Sequence, residues 1–96
     1  MRLGYHPLVQ RDVSEILRHY DKISPRLGDE FWAELVQLLE QISERPQIFH
    51  FTDRGLRRAN LRRFPYHLLF RERSAGIRVI VVRHDRRHPG YGTRRE

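Results

Sequence analysis

Two apolar stripes with the period of an α-helix, separated by a single Ser24-Pro25 step, restrict the fold of this chain more than any other feature. Each stripe has apolar residues at i, i+4, i+7, i+8 and i+11, counted from Val9 in the first and from Phe31 in the second. That spacing lines one face of a helix and predicts two amphipathic helices. Proline is disfavoured inside a helix, so Ser24-Pro25 ends the first helix and Pro46 ends the second. Helices joined this closely form an antiparallel helical hairpin.

The second half of the chain changes from the helical period to β-rich patterns. Strands are predicted over residues 56–64, 66–71 and 77–83, with a turn at Ala75-Gly76. The run Ile80-Val81-Val82 is apolar at consecutive positions, so its strand is expected in the interior of the sheet. A short strand over residues 1–6 precedes the helices, and the tail from residue 85 is expected to be irregular.

These patterns predict one α+β domain over residues 1–96 with the order β-αα-βββ. An antiparallel sheet of about four strands is expected to pack one face on the N-terminal helical hairpin. The other face is expected to carry the arginines of the second half.

The charge of the chain is concentrated in that second half. The net charge is +7, which divides into −3 over residues 1–53 and +10 over residues 54–96. Lys22 is the only lysine among 19 basic residues, and arginine has a planar fork of donors that suits phosphate and carboxylate. The imbalance predicts a polyanion or an acidic protein as partner. A solubilising surface is the alternative, although solubility does not require segregated arginines.

Several classes of protein are excluded or disfavoured by what the sequence lacks. There is no cysteine, which excludes disulfides and zinc–thiolate sites. No secretory leader is visible, and no apolar run approaches the ~18–20 residues of a membrane span. We therefore expect a cytoplasmic protein without a membrane partner. The chain also contains no phosphate-binding glycine loop, nucleophile elbow or paired carboxylates.

The densest basic segment is residues 54–63, with five arginines in ten residues. On a strand, Arg58, Asn60 and Arg62 would share one face, and Arg57 and Arg63 the other. An anion-binding groove is the functional interpretation. An edge strand whose charge prevents aggregation is the alternative.

His67 is predicted to lie on the arginine side of the sheet. Its neighbours Tyr66, Leu68 and Phe70 alternate with it and are expected to face the helices. Nearby arginines disfavour the protonated form of a histidine, so His67 suits a general base near neutral pH. A polar residue on a solvated face is the alternative.

The tail His84-Asp85-Arg86-Arg87-His88-Pro89-Gly90-Tyr91 is the densest polar cluster. Two histidines four residues apart could bind a metal on a helix, but the proline opposes a helix and no third ligand is evident, so no metal site is expected. Asp85 is expected to pair with a neighbouring arginine. The basic and aromatic residues suit either a nucleotide or an acidic protein; they are Arg83, His84, Arg86, Arg87, His88 and Tyr91.

Four segments resemble the RelE/ParE superfamily of toxins from bacterial type II toxin–antitoxin systems. They are YHPLVQRDVSEILRHY, GDEFWAELVQLLEQISERPQIF, LRRFPYHLLFRE and IRVIVVRHDRRHPGY. The last two are the more specific, because an Arg-Phe-Pro-Tyr strand start and a β-rich strand that ends in His and a basic pair are typical of the family. The resemblance covers nearly the whole chain. It implies the β-αα-βββ fold and a growth-inhibiting toxin that a cognate antitoxin neutralises.

The resemblance leaves two molecular targets open, because one branch of the superfamily cleaves mRNA in the ribosomal A site and the other binds DNA gyrase. Similarity to the nuclease branch implies a catalytic set of Arg58, Arg62, His67, Arg86 or Arg87, and Tyr91. Such a set would activate the 2′-OH, stabilise the charged transition state and protonate the leaving oxygen without a cofactor. For either branch, the remaining basic residues of the second half are expected to contact the target or another anion: Arg57, Arg63, Arg83, His84, Arg87 and His88.

The favoured interpretation is a ParE-like toxin that acts on DNA gyrase without catalysis. The lysines frequent in the nuclease branch are missing from residues 56–63, and Asn60 interrupts the basic alternation there. The His-x-Arg-Arg-x-Pro tail is also closer to the ParE-like branch. The alternatives are a RelE-like, ribosome-dependent mRNA endoribonuclease and a nucleic-acid-binding module without toxicity. The antitoxin is expected to lay an acidic or amphipathic segment over the arginines or over the helical hairpin.

Overall fold

A computed structural model describes all 96 residues and confirms the predicted element order. The elements are β1 (Leu3–Tyr5), α1 (Val9–Ile23), α2 (Pro25–Glu44), β2 (Arg57–Asn60), β3 (Tyr66–Arg73) and β4 (Gly76–His84). Ser24 alone separates the helices, and its hydroxyl accepts a hydrogen bond from the amide of Arg26 at the start of α2. A capping serine followed by proline favours this immediate restart of the helix. Neither helix is long and apolar enough to cross a membrane.

The strands form one sheet in the order β1-β4-β3-β2, so β4 lies in the interior as predicted. The α+β class is confirmed, with one correction to the expected antiparallel sheet. β3 is antiparallel to both of its neighbours, but β1 runs parallel to β4, and the sheet is therefore mixed. No tight turn joins β1 to β4, because both helices and two strands separate them in sequence, so hairpin geometry does not impose an antiparallel pairing.

The larger core lies between the sheet and the helices and contains 14 buried residues. Aromatic rings from both halves of the chain meet in it edge to face, as for Phe31 and Phe64 with centroids 5.4 Å apart. A bulge in β4 opposite Leu69 and Phe70 changes which residues contribute to this core. Ile80 and Val81 consequently both belong to the opposite face of the sheet.

The opposite face is not an open arginine surface, which corrects the prediction for its centre. Four buried residues form a smaller core there, and Tyr91 from the tail packs on it; they are Leu56, Leu69, Ile80 and Val81. The bulge and the apolar alternation place an apolar patch on this face, and without a cover this patch would contact water. The irregular tail covers the patch.

The strand predicted over residues 56–64 ends early, at Asn60. Leu61 and Phe64 both belong to the larger core, and strict alternation would place residues three apart on opposite faces. The chain therefore bends, and the amides of Arg62 and Arg63 donate to the Glu34 carboxylate on α2. The prediction that Arg62 shares a strand face with Arg58 is wrong for this reason.

Candidate functional site

His67 is the centre of a buried polar network on the tail side of the sheet. Its side chain is 1% exposed, and its Nδ1 lies 2.8 Å from Oδ1 of Asp85. Its Nε2 accepts a 2.9 Å hydrogen bond from Nε of Arg83, which always carries a proton. The ring proton of neutral His67 is therefore on Nδ1, where it is donated to Asp85. Both ring nitrogens are engaged within the protein.

Arg83 holds the tail with the rest of its guanidinium group. It lies directly opposite His67 in the β3–β4 register and is 8% exposed. Its Nη1 donates to three carbonyl oxygens of the tail, at 3.3, 2.8 and 2.8 Å, which belong to His88, Pro89 and Tyr91. Nη1 carries two protons, so one of them is shared between two of these carbonyls, while Nε donates to His67. Arg83 therefore both orders the tail and uses the acceptor nitrogen of His67.

The environment of His67 keeps the ring neutral. Burial lowers the pKa of His67 below its ordinary value, the charges of Arg58 and Arg83 lower it further, and the hydrogen bond to Asp85 opposes this shift. Protonation at Nε2 would break the bond from Arg83 and leave two cations in contact. A general base needs a nitrogen that is free to reach a substrate, so the geometry suits a structural role better.

A buried ion pair between α1 and the tail holds the end of the chain. The side chains of Asp12 and Arg95 are 4% and 9% exposed and form hydrogen bonds of 2.7 and 3.3 Å. Asp12 also accepts from the amide of Val82, and Arg95 also donates to the carbonyl of Ile80, both at 3.2 Å. β1 pairs with Ile77 to Val79 and ends before these two groups of β4, so β1 does not satisfy them. The ion pair satisfies them instead.

The solvent-exposed part of the site is a group of basic and aromatic side chains beside this network. Nη2 of Arg58 lies 3.6 Å from Oδ1 of Asp85, which confirms the predicted pairing of Asp85 with an arginine. Arg86 is exposed, and the guanidinium of Arg87 lies 3.9 Å from the centroid of the Tyr91 ring. We call this group the basic band: Arg58, Arg86, Arg87 and Tyr91.

The two tail histidines stabilise local turns. Nδ1 of His84 accepts from the amide of Arg86 at 3.0 Å, and Nδ1 of His88 accepts from the amide of Gly90 at 2.9 Å. In their neutral forms both rings therefore carry the proton on Nε2 and offer a donor there. No three His, Asp or Glu side chains lie close enough together to hold a metal ion.

The predicted site residues divide between separate surfaces. Arg57 pairs with Glu72 at 2.7 Å, Arg63 pairs with Glu30 of α2 at 2.7 Å, and Arg62 is exposed on the bend after β2. These three do not join the basic band. The others lie near the end of the sheet where β4 finishes: Arg58, His67, Arg83, His84, Arg86, Arg87, His88 and Tyr91.

Sequence reasoning missed an apolar groove of about 660 Å³ on the helical hairpin. Both helices and β1 bound it, and its lining includes Tyr5, Val13, Leu17, Trp32 and Leu39. Trp32 is 51% exposed although it follows the fully buried Phe31. A contiguous exposed apolar surface of this kind indicates a binding site. Helical periodicity alone does not distinguish a residue that borders the core from one that lines an open groove.

No family model matches the chain, and no curated protein matches it. A chain in the solved structure described as "Chromosomal ParDE TA system from P. aeruginosa" is similar to it with a TM-score of 0.77. This protein has a ParE-like fold. The similarity covers 88% of this chain and 95% of the other, at 19% sequence identity, so it confirms the predicted fold and transfers no residue roles.

Proposed function

We propose that the protein is the toxin of a type II toxin–antitoxin pair and that it inhibits DNA gyrase by binding rather than by cleaving RNA. The ParE-like fold supports the first part, because the similarity extends over 88% of the chain. The second part rests on His67, whose ring nitrogens lie 2.8 Å from Asp85 and 2.9 Å from Arg83. A histidine in this state has no lone pair to offer to a ribose hydroxyl.

The arrangement of the arginines supports the same choice. Cleavage of RNA requires cations that converge on one phosphate in the transition state. Arg62 lies on the bend after β2, and the guanidinium of Arg83 is used by His67 and the tail. The exposed basic band suits an acidic protein surface, where complementary charge increases the association rate and selects the partner.

We also propose that the antitoxin binds in the hairpin groove. Of the two positions considered from the sequence, the helical hairpin has the open apolar surface, whereas the tail already covers the sheet. An amphipathic helix whose apolar residues recur every three to four positions fits such a groove. The charge of +10 over residues 54–96 favours acidic residues in any part of the antitoxin that extends beyond the groove, because residues 1–53 carry −3.

The RelE-like alternative is supported by one cleft between α1 and the end of β4. Its volume is about 170 Å³, and its lining includes His19, Tyr66, His84, Arg87 and Tyr91. Imidazole, phenol and guanidinium groups are the components that metal-independent RNA cleavage requires. Ribosome-dependent cleavage of mRNA is therefore the second candidate function.

Induction of the full chain in bacteria tests the proposal. We expect growth arrest and an SOS response with intact transcripts by primer extension, and inhibition of DNA supercoiling when purified gyrase is mixed with the protein. Cuts at A-site codons that disappear in Tyr91→Phe would establish the nuclease instead. An induced protein that affects neither growth nor gyrase would contradict the toxin assignment and favour the nucleic-acid-binding module.

A further inference from the structure

A short hairpin, formed by the segment after α2 and the start of β2, presents an aromatic side chain to solvent. The amide of Arg58 donates to the carbonyl of His50 at 2.9 Å, and the amide of Thr52 donates to the carbonyl of Leu56 at 2.7 Å. We call residues 50–58 the edge hairpin. Phe51 pairs with Arg57 across it and is 63% exposed, more than any other large apolar side chain of the protein.

The edge hairpin is held rigidly on the body of the protein. Leu56 is fully buried in the smaller core, and Phe49, directly before the hairpin, packs on the larger core. The guanidinium of Arg57 donates to Glu72 and to the carbonyl of Phe49, both at 2.7 Å, and lies 3.9 Å from the centroid of the Phe51 ring. One face of the Phe51 ring is therefore covered by a fixed cation. Such preorganisation lowers the entropic cost of binding a partner.

The turn of the edge hairpin contains a strained arginine. Arg54 has φ 63° and ψ 24°, and Gly55 has φ 70°, so two successive residues are left-handed, as a two-residue hairpin turn requires. Glycine adopts this conformation freely, but it costs a residue with a side chain roughly 1–2 kcal/mol. Arg54 is exposed and takes part in none of the ion pairs of the protein. A residue that keeps a strained backbone although its side chain forms no ion pair within its own chain indicates a role in contacting another molecule.

We propose that the edge hairpin contacts the target protein, and that its partner is an acidic surface with an apolar pocket that receives Phe51. Ile48, three residues earlier, is also 51% exposed. A nucleobase would stack on an aromatic ring but gains no stacking from isoleucine, so this pair favours a protein. Arg54 supplies the complementary charge, because Arg57 already pairs with Glu72. Aromatic and arginine side chains dominate the energetic centres of protein interfaces. The inference rests on the proposed function in taking the target to be a protein.

The edge hairpin and the apolar groove belong to opposite edges of the sheet. The hairpin adjoins β2, and the groove is bounded by Tyr5 of β1, which is the strand at the other end of the order β1-β4-β3-β2. A helix seated in the groove does not need to cover Phe51. Substitutions in the edge hairpin are therefore expected to impair action on the target and to spare binding in the groove.

Substitutions in the full-length chain test this surface, with growth arrest and inhibition of purified gyrase as readouts. Phe51→Ser, alone and with Ile48→Ser, is expected to weaken gyrase inhibition about tenfold or more, as loss of an interface centre does. Ile23→Ser is the matched control, because Ile23 is 62% exposed at the end of α1, and it is expected to act like the wild type. Phe51→Leu still fills an apolar pocket and is expected to lie between the two.

Arg54→Gly gives the sharpest result, because the two expected effects have opposite signs. Glycine relieves the strained turn and should raise the melting temperature, while the loss of the guanidinium should weaken gyrase inhibition. A variant that is more stable and less active cannot have lost activity by unfolding. Unchanged inhibition by Arg54→Gly together with the Phe51→Ser/Ile48→Ser pair would overturn the proposal.

The remaining outcomes separate this inference from the proposed function. If Phe51→Trp binds a fluorescent single-stranded oligonucleotide more tightly than the wild type and Phe51→Leu loses that binding, the surface stacks bases and the proposal is overturned. If the wild type arrests growth without affecting gyrase, the gyrase assignment fails. Growth arrest is then the only readout for the role of the edge hairpin. Loss of arrest in Phe51→Ser then supports the proposal, and retained arrest overturns it. A wild type that neither arrests growth nor inhibits gyrase overturns both the proposed function and this inference.

Discussion

The two faces of the sheet are closed by different physical means. On the helix side, 14 buried residues form a continuous core. On the tail side, four buried residues are covered by an irregular segment that Arg83 and the Asp12–Arg95 pair hold in place. Apolar burial is non-directional and grows with area, so a small patch needs directional bonds to order an irregular segment. We infer that the helix side determines whether the chain folds, and the tail side determines how Arg86, Arg87 and Tyr91 are presented.

The largest expected effect is the loss of a buried aromatic ring on the helix side. Phe31→Ala should reduce the free energy of unfolding by about 3–5 kcal/mol, because Phe31 is fully buried among the rings of Phe64 and Tyr66. Urea denaturation measures this loss. The adjacent Trp32 is 51% exposed, so Trp32→Ala should change stability by much less. Equal losses in both variants would contradict the division of α2 into a buried face and an open face.

The next largest effect is expected from the ion pair that holds the tail. Asp12→Ala should cost about 3 kcal/mol, because it leaves Arg95 and the Val82 amide without their partner. In the double variant with Arg95→Met, no unpaired cation remains, so the combined loss should be smaller than the sum of the single losses. Strictly additive losses in urea denaturation would show that the two side chains are not coupled.

The contrast between the two faces also explains how much of the structure the sequence could predict. The stripes that begin at Val9 and Phe31 identified both helices, because local periodicity decides which side chains face the core. The apolar run in β4 placed that strand in the interior for the same reason. These predictions needed no knowledge of which distant residues meet.

The tail side depends on pairs that no local pattern identifies. Asp12 and Arg95 are 83 positions apart, and a carboxylate in the first turn of a helix is equally well explained by the helix dipole. His67 does face away from the helices as predicted, but one sequence does not reveal that Arg83 occupies its acceptor nitrogen. The early end of β2 follows from Leu61 and Phe64, whose shared burial overrides strand alternation.

A smaller and more local effect is expected when the buried guanidinium of the tail side is replaced. Arg83→Lys keeps the charge but has too few donors in the right plane for His67 and three carbonyls, and should cost about 1–3 kcal/mol. Amide hydrogen exchange locates the loss. The amides of Tyr91, Thr93 and Arg95, which donate to carbonyls within the tail, should lose protection, whereas the amides of α2 should keep it. A uniform loss along the chain would mean that the tail unfolds only together with the larger core.

The smallest expected effect is the pH dependence of amide protection in the tail, which is due to titration of His67. Because its folded-state pKa lies below the ordinary value of about 6.5, the unfolded chain binds a proton over a pH range where the folded chain does not. The stability due to this group is therefore complete above the ordinary value and decreases as the pH falls towards the folded-state value. Tail amides of the wild type should lose protection, after correction for intrinsic exchange, between about pH 7.5 and about pH 5.5.

His67→Gln separates this titration from other acid effects. Glutamine offers an acceptor to Arg83 and a donor to Asp85 but binds no proton in this range, so the tail of the variant should respond less to pH. His6→Gln is the comparison variant, because burial also lowers the pKa of His6 and the charge of Arg95 lowers it further. His6 is therefore a second group through which protonation would act on the tail, by way of the Asp12–Arg95 pair. If the His67 variant loses tail protection with falling pH as steeply as the wild type, a different group links protonation to the tail. If tail protection becomes insensitive to pH only in the His6 variant, the titrating group lies at the β1 edge. The pH dependence of the tail side would then not come from His67.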